Sequence, residues 1–232
     1  MNREQMIFKF QKTMMTGYAR MLFHYDLAVE EALPAGPKLL IANHPTTTDP
    51  FLLSLMMNEP VSILVTQLAF DAPLLGRALR AGGHIPVPVQ RGGSGEQIIP
   101  AAVAKLQAGG VVAVFPEGSL SPEVGQFCAP RTGAARIALL SGAPVIPVGI
   151  HLSRDAYLNF KYQVPGRLAC RGDYYVTVGK PLTFTGDVED RELVRAAAWQ
   201  MMTAIIGQAE KSAQRMRAAY DRQVPALIPT LG

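Results

Sequence analysis

Short apolar runs at 38–42, 61–65, 84–89, 111–115, 145–150 and 174–178 alternate with stretches that carry helix start and stop signals. Asp49-Pro50 reads as an N-cap followed by proline at the first helical position. Asp71 opens a stretch that stops at Gly82-Gly83. Ser94 with Gln97 forms a capping box for a helix ending at Gly109-Gly110. Residues 132–140 are stopped by Gly142, and Asp187 opens a long helix running to about Arg222. Strands separated by helices predict an α/β fold: a largely parallel or mixed sheet flanked by helices. In such sheets ligands gather at the carboxyl ends of the strands.

At 232 residues the chain has room for one self-sufficient core, with at most a helical appendage. Hydrophobic residues make up 49% and charged residues 17%, the latter well below the typical ~25%. This excludes a disordered chain and points to apolar surface suited to lipid. With 22 Lys+Arg against 18 Asp+Glu, the net charge of +4 suits an anionic membrane surface or phosphorylated ligands. It is too small and too dispersed to predict nucleic-acid binding. Cys128 and Cys170 form no Cys-x-x-Cys pair, so neither a disulfide framework nor a zinc signature is present. A reducing compartment is expected. No apolar run reaches the ~18 residues of a spanning helix, and the start of the chain lacks the pattern of a secretory signal.

Over residues 2–25 a helical period places Ile7, Phe10, Met14, Tyr18, Met21, Leu22 and Tyr25 on one side. Lys9, Lys12, Thr13, Thr16 and Arg20 fall on the other. An apolar stripe opposite a basic face is the pattern of a helix lying at a membrane interface, and also of a helix packed on its own domain. The chain therefore divides into an N-terminal amphipathic helix, 1–30, and a main domain, 31–232.

Polar residues at strand ends carry the chemistry. The first group is Asn43-His44-Pro45-Thr46-Thr47-Thr48-Asp49. A histidine suits general-base work, and a carboxylate on its other ring nitrogen fixes the tautomer and stabilises the imidazolium. On these residues alone, Asp49 can equally be only a helix cap. The second group, Phe115-Pro116-Glu117-Gly118-Ser119, again follows an apolar run. Its carboxylate, glycine and hydroxyl can hold a polyol, or serve a turn. The third is Arg91, after the run at 84–89 and before Gly92-Gly93, where a guanidinium suits a phosphate as well as solvent. Nucleophile-elbow, Walker, dinucleotide and His-Glu-x-x-His templates are absent.

Taken in order, Asn43-His44-x4-Asp49, a Gly83-His84-Ile85 run ending in Arg91, Phe115-Pro116-Glu117-Gly118-Ser119 and Val145-Ile146-Pro147-Val148 resemble the glycerolipid acyltransferase family, which includes the lysophosphatidic acid acyltransferases. The resemblance spans 39–182 and includes Arg131-Thr132-Gly133-Ala134 and Val178-Gly179-Lys180-Pro181-Leu182. It implies an O-acyltransferase domain over 31–232. The enzyme would move a fatty acyl group from acyl-CoA or acyl carrier protein to a hydroxyl of a lysophospholipid or glycerol phosphate in membrane lipid synthesis. By the same resemblance His44 takes the hydroxyl proton and Asp49 orients His44. Glu117, Gly118 and Ser119 sit with the acceptor, and Arg91 near its phosphate. No metal and no resident cofactor is implied. The expected location is peripheral, on the cytoplasmic face of a membrane. Many family members carry Asp-Arg where this chain has Gln90-Arg91, an arginine where it has Leu120, and a basic residue where it has Thr66-Gln67. Fewer cations leave open an acceptor without phosphate, such as a lipid alcohol or another lysolipid. A catalytically silent lipid-binding protein of the same fold is the other alternative, although a mere binder needs neither His44 nor Asp49.

Overall fold

The structure, a computed structural model, describes residues 6, 8–10, 12–14, 16–17, 23–88, 95–154, 156–157 and 172–223. The described stretches of 6–17 are helical. From there the elements run β1 (Phe23–Val29), β2 (Lys38–Ala42), α1 (Asp49–Met56), β3 (Val61–Thr66), α2 (Gln67–Asp71), α3 (Pro73–Ala81), β4 (Ile85–Val87), α4 (Gly95–Gln107), β5 (Val111–Val114), α5 (Gly133–Ser141), β6 (Val145–Leu152), β7 (Gly172–Val178) and α6 (Arg191–Gln223). The strands form one seven-stranded sheet in the order β1-β7-β6-β2-β5-β3-β4. Pairings are parallel except β6 with β7, so the sheet is mixed.

Strand β2 lies in the middle and every residue of it is buried. Its alternate residues feed two cores, as the period of a strand requires. Leu40 and Ala42 join Leu52, Leu53 and Ile63 on the face covered by α1. Leu39 and Ile41 join Ala102, Leu106, Ile137 and Met201 beneath α4, α5 and α6. Helix α6 lies directly on β6 because Gly149 has no side chain there: a Cβ would come within 1.9 Å of the Ala209 nitrogen. Ser212 Oγ then donates to Gly149 O at 2.9 Å.

Several sequence expectations are corrected. Phe23 and Tyr25 belong to strand β1, paired parallel with β7, and the N-terminal helix does not run to 25. Helix α1 begins at Asp49 with Thr48 at the N-cap, so Asp49 is not the cap. Asp71 ends the short helix α2, and the next helix starts at Pro73. Asp190, rather than Asp187, caps the long helix, accepting from Glu192 N at 3.0 Å and Leu193 N at 3.1 Å. In the N-terminal helix Phe8 is buried, while Met6, Phe10 and Met14 are exposed. Lys12 ties that helix to the end of α1, donating to Asn58 Oδ1 at 3.0 Å. Ile7, Tyr18, Arg20, Met21, Leu22, Ser94 and Cys170 lie outside the described residues. No helix among the described residues is long and apolar enough to cross a membrane.

Candidate active site

The site forms where β2 and β5, neighbours in the sheet, end side by side. Asn43 closes β2. Its buried side chain donates from Nδ2 to Ile150 O and accepts from Ile150 N, both at 2.8 Å, continuing the pairing with β6 by one residue. The chain then leaves the sheet, and His44 is the first side chain clear of it.

His44 is held on four sides. Its ring stacks on Phe115, with centroids 4.1 Å apart and planes 19° apart. Its N–H donates to Glu117 Oε1 at 3.0 Å. Its carbonyl accepts from Ser121 N at 2.8 Å. Its Nδ1 lies 3.0 Å from Asp49 Oδ2. Asp49 is fully buried, while the His44 side chain keeps 18% exposure. A carboxylate accepts only, so Nδ1 carries the proton and Nε2 presents its lone pair. Nε2 has no partner among the described residues, which is the arrangement of a general base.

Asp49 sits at the first position of α1, where the helix dipole favours a carboxylate. Its side chain nevertheless turns back into the preceding loop. Oδ2 also accepts Thr46 N at 2.7 Å. Oδ1 accepts Thr46 Oγ1 at 2.7 Å and the phenol of Tyr174. Four donors therefore converge on one carboxylate and fix its plane. Tyr174, fully buried in β7, was not singled out by the sequence. Burial first, and the Asp49 charge second, push its hydroxyl well above the usual phenol range. It therefore stays a donor. The available signal was a tyrosine inside a strand, whose hydroxyl needs a partner when buried.

Glu117 reaches the site as the sequence reading expects, but its carboxylate faces inward. It is buried, and besides His44 N it accepts Ser121 Oγ at 2.8 Å and Cys128 N at 2.7 Å. Its visible work is to join the two loops that frame His44. Gly118 turns the chain at φ +64°. Ser119 is exposed at that turn, its Oγ 3.7 Å from Cys128 Sγ. Arg91 lies outside the described residues. His84, in the same run, stands away from these groups: its half-buried ring accepts Ile63 N at 3.2 Å.

A family model described as Acyltransferase matches residues 25–151, more than half of the chain. The chain belongs to the acyltransferase family. Among solved structures it is similar to the crystal structure of the 1-acyl-sn-glycerophosphate (LPA) acyltransferase, PlsC, from Thermotoga maritima, with a TM-score of 0.62 and 20% identity, covering 92% of this chain and 79% of that one. At that identity the likeness is one of fold. No curated protein matches the chain.

Proposed function

We propose that this acyltransferase moves a fatty acyl group from an acyl thioester, acyl-CoA or acyl carrier protein, to a hydroxyl of a lysophospholipid or glycerol phosphate in membrane lipid synthesis. The observation that carries this reading is the His44–Asp49 contact at the carboxyl end of β2. His44 Nε2 takes the proton as the acceptor oxygen attacks the thioester carbonyl. The C–S bond then breaks, and the imidazolium returns its proton to the departing thiolate. Asp49 stabilises the imidazolium formed between those steps. The thioester brings its own activation, so the reaction needs no metal and no prosthetic group. The similar solved structure is that of an LPA acyltransferase, which favours 1-acylglycerol 3-phosphate as acceptor.

The substrates are amphiphiles, and a peripheral position on the cytoplasmic face of a membrane fits them. Met6, Phe10 and Met14, exposed at four-residue spacing on the N-terminal helix, supply an apolar stripe for that surface. The uncharged Thr66, Gln67 and Leu120 support a second reading, the same chemistry on a lipid alcohol without phosphate. Turnover of one labelled acyl-CoA with a panel of acceptors separates the two. Transfer to 1-acylglycerol 3-phosphate well above monoacylglycerol supports the first reading. Equal rates support the second, and transfer to neither overturns both.

A further inference from the structure

We propose that Arg131 is a cation that binds the phosphate of the acceptor, and that Gly118 leaves room for its side chain to lie across the turn that follows Glu117. Three observations meet at this residue. First, the Arg131 backbone is bound to the site turn, its N–H donating to Pro116 O at 2.7 Å. Second, the end of its side chain lies across the bare Cα of Gly118. A Cβ there would come within 2.5 Å of Arg131 Nε, 2.7 Å of Cδ and 2.9 Å of Cζ. Third, Arg131 is exposed, and no ion pair or hydrogen bond of its guanidinium occurs among the described residues. Of the carboxylates in the same loop, Glu117 is already engaged by His44 N, Ser121 Oγ and Cys128 N, and Glu123 accepts from Gln126 Nε2 at 3.3 Å.

An arginine seated this closely yet unpaired keeps its fork of donors for a ligand. That fork matches two phosphate oxygens at once. The residue that seats it adjoins Glu117, which holds the backbone of His44. A phosphate on Arg131 is thus anchored to the loop after β5, which the Glu117 carboxylate ties to the loop carrying the group that must take the hydroxyl proton. The exposed hydroxyl of Ser119, next to Gly118, adds a neutral donor at the same place. The phosphates of coenzyme A share this chemistry. The link to His44 favours the acceptor, whose own hydroxyl must reach Nε2.

The assignment rests on the acyl-transfer reading, and the test keeps the two apart. Wild type, Arg131→Gln and Arg131→Lys are assayed with 1-acylglycerol 3-phosphate and with monoacylglycerol, using acyl-CoA and acyl-pantetheine as donors. In Arg131→Gln the ratio of kcat/KM for the phosphorylated over the neutral acceptor should fall roughly ten- to hundredfold, the worth of a charged hydrogen-bonded pair. Arg131→Lys, which keeps the charge without the fork, should recover part of it. An unchanged ratio, with both acceptors losing alike, would make Arg131 a loop-holding residue and overturn the assignment. So would a fall in preference for acyl-CoA over acyl-pantetheine with the acceptor ratio intact. A wild type that acylates neither acceptor overturns the acyl-transfer reading itself, and the assignment with it.

Discussion

The backbone N–H of His44 donates to the carboxylate of Glu117, a residue 73 positions further along the chain, at 3.0 Å. The bond joins the loop after β2 to the loop after β5, and it makes the position of the base depend on a buried acid. Glu117→Gln replaces an acceptor by a donor where three donors already converge. Leaving one of them unsatisfied costs about 1–3 kcal/mol. The expected result is a lower Tm together with a fall in kcat of tenfold or more as His44 loses its seat. A change confined to KM for the acceptor would instead mean that Glu117 touches substrate.

Tyr174 reaches the same base through Asp49. Removing its hydroxyl in Tyr174→Phe takes one donor from the carboxylate, concentrates its charge toward His44 and stabilises the imidazolium. The acid limb of the pH profile of kcat/KM should move to higher pH, with turnover at neutral pH down roughly tenfold. A lower Tm with an unmoved acid limb would leave Tyr174 a packing residue.

His84 offers a test in stability. Burial first, and the Lys105 charge second, lower its titration to about 4, and the ring accepts a backbone N–H as a neutral group. A group with a depressed folded pKa that is neutral when deprotonated contributes most above its unfolded value. That contribution is present above pH ~6.5 and is lost as pH falls from there through about 4. The shift corresponds to about 3 kcal/mol at most. Urea unfolding of wild type should weaken over that window, and His84→Gln should flatten the dependence. Parallel curves for the two proteins would contradict it.

The N-terminal helix gives a prediction for membranes. Phe10→Glu with Met14→Glu changes two exposed side chains, so the fold should hold while binding to anionic liposomes weakens. Binding of the wild type should fall as salt rises, since basic side chains near the surface are screened. Sedimentation with vesicles at two salt concentrations reads both. Equal binding by the variant would move the contact to another surface.

What the sequence made legible was local. The run at 38–42 coincides with β2 because five successive apolar or stem-burying residues leave no choice but a central strand. Gly142 ends α5 at φ +64°, as its position after an apolar stretch implies. Strand β1 was obscured because Tyr25 also continues the helical period that precedes it, although the sequence 23–29 alternates as an edge strand does. The His44–Asp49 contact could be expected from five-residue spacing. The partners that complete it could not: Tyr174 comes from a strand 125 residues away, and its tie to Asp49 depends on how β7 pairs with β6. The seat of Arg131 on Gly118 spans only 13 residues but forms only when the loop after β5 folds back.

The central claim is that His44 is the base for acyl transfer, and one comparison tests it. Transfer of labelled acyl chain from acyl-CoA to 1-acylglycerol 3-phosphate is measured for wild type and His44→Ala, with thermal unfolding of both. Expected is product from the wild type, a loss of about 10²–10⁴-fold in kcat for His44→Ala, and closely similar Tm values. Transfer by His44→Ala at the wild-type rate, with the fold intact, would contradict it.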